Sequence, residues 1–517
     1  MKTFLLRGTA SVAAGAAAIL AFAPFYAWPI ASFSLAVLFW QWTTATRARQ
    51  AAFDGWLYAF GLLGAGVSWL YVSLHVYGGM PAILAGLATV LFCAVMALYL
   101  GFAGLVLHKI AAFANKQVKR PLFTLLFLAP TFFVIAELLR ATVITGFPWL
   151  SFGYSHAPSG AFIGVAPVFG MFGVSWLVAF SAALLVLMLR NIKAPKSTAF
   201  RIAVGGWAAL LLLLPLLKFI EYGQTEGVPV SVDLLQGNID QKIKWNATEL
   251  NRTMEIYRGM VMASRAKLIV LPETAVTSLL HDIPQDYLID LKNHAKANGG
   301  DVLLGVPMVQ RAAAGDNSPF YNYLYNAVIS LGATPTYGYS KQHLVAFGEF
   351  MPPVFSWAYQ WLNIPLSNMS RGSTNQTPMP LAVGKVAINI CYEDAFGNEI
   401  AWQLPDAQLL VNVSNMAWYG RSLAAEQHLQ LSQMRSIETS RWMLRATNTG
   451  MTAAIDETGK IVAALPQFTR GTLSVQAQPR TGTTPYVRWR DWPVVIFCGL
   501  VVLLGIGMGR AKKPLLK

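Results

Sequence analysis

Eight apolar runs constrain this chain before anything else does. They lie near Thr9–Trp28, Pro29–Ala45, Gly55–Tyr77, Pro81–Leu107, Leu122–Leu139, Ala161–Leu189, Ile202–Leu217 and Trp492–Met508. A single charged side chain, Glu137, falls within them. About 20 apolar residues cross roughly 30 Å of hydrocarbon as a helix. The pattern predicts a multi-span α-helical membrane domain of seven spans, an eighth span at the end of the chain, and a polar domain between. The second and seventh runs are short, and the sixth is long enough to tilt or to include a loop.

The charges test this reading. Charged residues make up only 12% of the 517, about half the share usual in soluble domains. The net charge of +15 is unevenly placed: residues 221–491 hold 21 Lys/Arg against 22 Asp/Glu, and the rest hold 18 Lys/Arg against Asp54 and Glu137 alone. A nucleic-acid binder would carry its excess as a basic patch on a folded domain, so no nucleic-acid partner is expected. Here the basic residues punctuate apolar runs. They cluster at Lys2 and Arg7, at Arg47 and Arg49, from Lys109 to Arg120, from Arg190 to Arg201, and from Arg510 to Lys517. The alternate short loops carry only Arg140. By the positive-inside rule both termini are cytoplasmic, and residues 218–491 lie on the outer face. The expected organisation is a transmembrane domain over 1–220, an external domain over 221–491, and a final span with a basic tail over 492–517. The first 28 residues also resemble a signal peptide, but removing them would spoil the alternation of charges, so retention is expected. Glu137 and Arg140, three apart on one helix face, read either as an interfacial pair or as a polar contact for a lipid headgroup.

From Val230 the texture changes to short apolar strands alternating with helical stretches. Strands are expected at Val230–Gln236, Leu268–Leu271, Val302–Val306, Asn326–Leu331, Val386–Ile390, Leu409–Val413, Met451–Ile455 and Leu473–Val475. Helices are expected at Glu249–Ala266, Gln285–Asn298 and Ser422–Thr439. That alternation points to a layered α/β fold. Of three cysteines, Cys93 and Cys498 lie inside spans and read as packing residues. Cys391 alone lies in the external domain, at the end of the strand Val386–Ile390, where it is either a core residue or a reactive thiol. Glu273 follows another buried strand, and Lys341 stands eight residues before Glu349.

Together the segments Leu271-Pro-Glu273, Lys341 with Phe347-Gly-Glu349, and Cys391-Tyr392-Glu393 resemble the Glu–Lys–Cys signature of the nitrilase, or carbon–nitrogen hydrolase, superfamily. With the membrane runs on both sides, nearly the whole chain resembles the apolipoprotein N-acyltransferase family. Further matches are Gly146-Phe147-Pro-Trp149, Gln236-Gly-Asn with Lys244-Trp245, Ser414-Asn415 with Trp418-Tyr-Gly420, Gln427-His428, Arg435 with Glu438, and Thr447-Asn-Thr-Gly450. Three positions depart from the family pattern. Leu271 and Ala346 stand where the family usually has Trp and Pro, and Met416 stands where it usually has Asp.

The resemblance implies an αββα sandwich for the external domain and a two-step acyl transfer. Cys391 would take an acyl chain from a phospholipid, phosphatidylethanolamine by expectation, as a thioester. The α-amino group of the diacylglyceryl-modified N-terminal cysteine of an apolipoprotein would then accept it. In these roles Glu273 takes the thiol proton, and Lys341 lowers the thiol pKa and stabilises the oxyanion with a backbone N–H after Cys391. Glu349 holds Lys341, while Tyr392 and Glu393 shape the pocket. Trp245, Phe147, Trp149, Asn415 and Trp418 are the expected substrate contacts. Trp357 and Trp361, in the aromatic stretch 354–366, read either as core packing or as an arm dipping into the membrane interface. No metal or organic cofactor is implied, and His343 and His428 read as structural. The expected setting is the bacterial inner membrane, with a periplasmic catalytic domain and a monomeric chain. Two rival readings use the same sequence. One is a membrane-anchored amidase or nitrilase with water as acceptor. The other is a transporter or lipid-binding scaffold, against which the scarcity of charges within the spans argues.

Overall fold

The computed structural model describes residues 2–114, 121–311, 322–351 and 368–510. The chain divides into two compact units, one of residues 1–71, 83–221 and 489–517, the other of 72–82 and 222–488.

The first unit is helical. Among the described residues five helices are long and apolar enough to cross a membrane: Ala82–Ala114, Pro121–Thr142, Ile163–Arg190, Thr198–Phe219 and Trp492–Arg510. A sixth is reached if Ala48–Gly66 and Trp69–Tyr77, bent by 51° at their junction, form one span. The helices Lys2–Ala17 and Pro29–Thr44 have 16 residues each, which is short for a full crossing. Close packing here depends on small residues. A Cβ on Gly15 would stand 1.9 Å from the carbonyl oxygen of Tyr58, and one on Gly61 would stand 2.3 Å from that of Val12. The first helix and Ala48–Gly66 therefore meet backbone to backbone, as small residues permit between apolar helices. Arg7 and Asp54 pair at 2.7 Å across the same contact. Glu137 and Arg140 both serve the loop that follows their helix. Glu137 Oε1 accepts from the Phe152 N–H at 2.7 Å, and Arg140 donates to the carbonyls of Phe147 and Trp149, both at 2.6 Å. One oxygen of Glu137 and the Arg140 guanidinium are thus used to hold buried backbone.

The second unit is a four-layer sandwich. In chain order its strands are β1 (Gly223–Thr225), β2 (Val230–Gln236), β3 (Leu268–Val270), β4 (Asp301–Arg311), β5 (Asn322–Gly332), β6 (Gly338–Ser340), β7 (Met379–Leu381) and β8 (Gly384–Ile390). They continue with β9 (Leu409–Ser414), β10 (Met443–Thr447), β11 (Ala453–Ile455), β12 (Ile461–Ala464), β13 (Gly471–Ala477) and β14 (Arg480–Gly482). Among the described residues they form a sheet of order β13-β2-β3-β4-β5-β6, a second of order β12-β11-β10-β9-β8-β7, and a small β1-β14 pair. In each large sheet three central strands are parallel, β2-β3-β4 and β8-β9-β10, with antiparallel strands outside them.

The strand period of two builds the layers. Val232, Leu234, Leu268, Val270 and Leu303 point inward to meet Val386, Ile388, Ile390, Leu409, Val411, Val413 and Leu444. The alternate residues Leu235, Ile269, Val302 and Leu304 point outward, against the helices Leu250–Ala263 and Gln285–Ala297. On the other sheet Ala387, Leu410 and Met443 pack outward with Leu429 of the helix Ala424–Thr439. Burial on both faces explains why these strands read as unbroken apolar runs.

Strand β10 was not among the expected strands. It occupies a central position although its sequence, Met-Leu-Arg445-Ala-Thr, carries an arginine whose side chain is 0% exposed. Residues 72–82 join this unit rather than the helical one. Tyr77 meets Trp418 edge-on at 6.4 Å, and a Cβ on Gly420 would stand 3.3 Å from Val72.

Candidate active site

Cys391 follows strand β8 and begins a 3-10 turn, Cys391–Ala395. Its φ of +53° lies in the left-handed region, which costs a non-glycine residue on the order of 1–3 kcal/mol and persists only where surroundings enforce it. The enforcement is visible. The Cys391 carbonyl accepts from Asn412 Nδ2 at 3.2 Å and from His428 Nε2 at 3.0 Å. Two residues on, Glu393 closes the turn by accepting the Ile390 N–H at 2.6 Å.

Lys341 follows strand β6 and is 1% exposed. Its ammonium lies 2.9 Å from Glu349 Oε1 and 3.4 Å from Glu273 Oε1. Asn326 on β5 donates to both carboxylates, at 2.7 Å to Glu273 and 2.9 Å to Glu349. The other oxygen of Glu273 accepts the Asn415 N–H at 2.8 Å, and the other oxygen of Glu349 accepts the Val345 N–H at 2.9 Å. Both carboxylates are thus held by donors, and the lysine by carboxylates. Burial disfavours the Lys341 ammonium, but Glu349 and Glu273 outweigh it and hold the group well above the usual lysine range.

Lys341 does pull the Cys391 pKa down, but burial and the Glu273 carboxylate outweigh it and push the thiol up to about 12. The cysteine is therefore protonated at neutral pH and needs a base at the moment of attack. Glu273 and Lys341 are both close enough to act on its charge.

Glu393 ties these pieces together. It accepts the N–H groups of Gln342 and His343 at 2.7 and 3.1 Å, and the Tyr339 hydroxyl reaches both its oxygens. Burial pushes its carboxyl up to about 8, although the Ile390 and His343 N–H groups and Lys341 act in the opposite sense. Tyr392 packs edge-on against Phe396 and His343, and the His343 ring stacks on Phe396 at 3.5 Å. His343 Nδ1 also pairs with Glu399 at 2.8 Å.

Other expected contacts fall as follows. Trp245 ends the short helix Gln241–Lys244, and its buried Nε1 has no hydrogen-bond partner among the described residues. Asn415 spends its side chain inside the protein, on Gln241 and Asn448 at 2.9 and 3.2 Å. Trp418 faces Tyr77. In the helical unit Phe147 stacks on Trp149, and Trp149, only 3% exposed, meets Trp69 edge-on. Trp357 and Trp361 lie outside the described residues.

Several neighbours were not legible beforehand. Asn326 reads as one polar residue in an apolar strand. Lys244 is buried and donates to the Glu273 carbonyl at 3.2 Å and to Thr274 Oγ1 at 3.1 Å. Burial lowers its pKa to about 8, although Glu273 and Cys391 act in the opposite sense. Asp394, Arg445 and His428 form a buried cluster behind the cysteine.

Comparison with known proteins identifies the family. Residues 14–184 match the apolipoprotein N-acyltransferase N-terminal domain, and residues 232–486 match the carbon-nitrogen hydrolase domain. An apolipoprotein N-acyltransferase of Nitrosomonas europaea is 45% identical over 501 residues, 96% of each chain. This chain belongs to the apolipoprotein N-acyltransferase family. Relatives of the same name from Methylococcus capsulatus and Ralstonia nicotianae are each 39% identical, covering 99% and 96% of this chain and 97% and 93% of their own. Family membership makes the protein an acyltransferase, of a family that acts on lipoproteins. The three departures from the family pattern have plain settings. Leu271 packs in the outer core of the first sheet, Ala346 bridges to Phe350, and Met416 places its sulfur 3.0 Å from His428 Nδ1.

Proposed function

We propose that the protein moves an acyl chain from a membrane phospholipid to the α-amino group of a diacylglyceryl-modified N-terminal cysteine, through a thioester on Cys391. The observation that carries this reading is the buried Lys341 ammonium, shared by Glu273 at 3.4 Å and Glu349 at 2.9 Å.

In the first half-reaction Glu273 accepts the thiol proton as Sγ attacks the ester carbonyl. The developing oxyanion is met by Lys341 and the backbone N–H of Tyr392, since donors fixed before charge develops stabilise it most. Collapse forms the thioester and expels the lysophospholipid alkoxide, which takes the proton from Glu273. In the second half-reaction the α-amine attacks the thioester, Glu273 takes its proton and returns it to the expelled Cys391 thiolate, and the product is an N-terminal amide with thiol and base restored. Glu349 and Asn326 keep Lys341 and Glu273 in register, Tyr392 and Glu393 shape the pocket, and Trp245 and Trp418 offer apolar walls.

The same reading assigns the organisation. Eight spans carry the chain across the inner membrane of a bacterium, with 1–220 and 492–517 in or at the bilayer, both termini cytoplasmic, and 221–491 in the periplasm. Phosphatidylethanolamine is the donor, and the enzyme works as a monomer. Both substrates are lipid-anchored, which gives a reason for spans before and after the catalytic domain in the sequence.

The test is mass spectrometry of the purified protein after incubation with phosphatidylethanolamine, then with a diacylated lipopeptide. The expected result is an acyl adduct on Cys391, absent in Cys391→Ala and discharged onto the peptide amine. Discharge to water alone would instead make the protein a hydrolase. No adduct on folded protein with lipid present would overturn the reading.

A further inference from the structure

The cluster behind Cys391 has a direction built into it. Arg445 donates to His428 Nδ1 at 2.7 Å. A guanidinium has donors only, so Nδ1 carries no proton and the ring N–H sits on Nε2. The other neighbour of Nδ1, the Met416 sulfur at 3.0 Å, has no proton to give. Nε2 lies 3.0 Å from the Cys391 carbonyl oxygen and 3.7 Å from Asp394 Oδ2. Arg445 is itself fixed, donating to Asp394, Asn412 and Ser432, each at 3.0 Å. His428, Asp394 and Arg445 are each no more than 1% exposed.

The carbonyl they address belongs to the peptide that joins Cys391 to Tyr392. That unit is planar, with its C=O and N–H pointing in opposite directions. Fixing the oxygen therefore fixes where the Tyr392 N–H points. A donor on the carbonyl also polarises the unit and strengthens its N–H. We propose that His428 is a positioning residue for the acyl-transfer reaction: through the Cys391 carbonyl it aims the Tyr392 N–H at the oxyanion of the tetrahedral intermediate. The inference rests on the reading of Cys391 as the acylated nucleophile. Asn412, which donates to the same oxygen, provides the second point that stops the peptide rotating.

The positioning role separates two reactions of one thiol. Thioester formation passes through an oxyanion, whereas alkylation by iodoacetamide displaces iodide at carbon and forms none. His428→Asn places its amide near Nδ1 and loses the donor to the carbonyl, while His428→Gln reaches the position of Nε2 and restores it. His428→Asn is expected to slow thioester formation from phosphatidylethanolamine about 100- to 1,000-fold, the size of losing one oxyanion donor. Its KM for the lipid and its Cys391 alkylation rate should stay within about threefold of the parent. His428→Gln should recover thioester formation to within about tenfold. Equal loss of thioester formation and alkylation in His428→Asn, or no rescue by glutamine, would reduce His428 to a packing residue and overturn the proposal. So would unimpaired thioester formation in His428→Asn. Should the asparagine variant fail to fold, nitrogen-15 spectra of the unaltered protein, with the His428 signals assigned by their loss in His428→Gln, test the same point. An Nε2–H tautomer throughout pH 6–9 is expected, and an Nδ1–H tautomer would overturn it. Absence of any adduct on Cys391 in the unaltered protein would instead defeat the underlying reading of the nucleophile.

Discussion

Gln342 donates its backbone N–H to Glu393 across 2.7 Å, which fastens the residue after Lys341 to the turn that presents Cys391. Lysine and cysteine each follow a strand, β6 and β8, of different sheets, 50 residues apart in sequence, and this carboxylate is a direct tie between their two loops. Glu393→Ala leaves the N–H groups of Ile390, Gln342 and His343 without their acceptor. Each buried donor left unpaired costs about 1–3 kcal/mol. The variant should lose at least about 100-fold in acyl transfer, together with several degrees of melting temperature. Turnover and thermal unfolding measured on one preparation check this, and full activity would show that the two loops are held by other means.

Asn326 stands between Glu273 and Glu349 and donates to both. Without it, two carboxylates share one ammonium with no donor between them. Asn326→Leu keeps the volume approximately and removes both bonds. Thioester formation should fall about 10- to 100-fold with little change in lipid KM, because the lost bonds touch the base and not the lipid. Single-turnover acylation monitored by intact-protein mass is the measurement.

The raised thiol gives a pH signature. With Cys391 pushed up to about 12, its thiolate fraction keeps rising tenfold per pH unit well above neutrality. Alkylation of Cys391 should therefore climb from pH 7 to pH 10 without a plateau. Lys341→Met removes the cation that pulls the thiol down. An opposite charge nearby shifts a pKa by about 1–3 units, so alkylation at pH 8 should slow about 10- to 1,000-fold. A plateau near pH 8.5 in the unaltered protein would contradict the burial argument.

Lys244 titrates in the other sense. Burial lowers its pKa to about 8 from 10.5, so between those values the unfolded chain binds more protons than the folded one. Stability then rises with pH across that window, and the cost of burying the charge is complete below pH 8. The full shift corresponds to about 3 kcal/mol. The difference in unfolding free energy between the unaltered protein and Lys244→Met, measured from pH 7.5 to 10.5, should slope upward by an amount of that order. A flat difference would mean that the ammonium is not penalised in the folded state. Because Lys244 also holds the Glu273 carbonyl and the Thr274 hydroxyl, the same variant should slow acylation.

Much of the architecture is local and was therefore legible. Val230–Gln236 was expected as a strand and is one, and the expected helix Gln285–Asn298 matches Gln285–Ala297 within a residue. Periodicity is a property of neighbouring residues, and so is the contrast between apolar runs and the balanced charge of 221–491. Glu273, Lys341 and Cys391 could be selected because each stands in a short motif of recognisable order. The expectation failed where the local pattern misled. Strand β10 was missed because Arg445 looks like a surface residue, and it is accommodated in the interior by Asp394, 51 residues earlier, at 3.0 Å, together with Asn412, Ser432 and His428. Lys341 pulls the thiol down as expected, but the net direction of its shift depends on how much water burial removes, which no local pattern shows.

The sequence by itself therefore determined the partition into apolar helices and an α/β domain, the strand faces, and the order of the acidic, basic and thiol groups. Only the tertiary structure decided that Asn326 joins two carboxylates, that Glu393 ties the lysine loop to the cysteine turn, and that His428 faces the Cys391 carbonyl. The physical reason is the same in each case. Such contacts join residues tens of positions apart, and hydrogen-bond direction and desolvation depend on three-dimensional surroundings that no local pattern encodes.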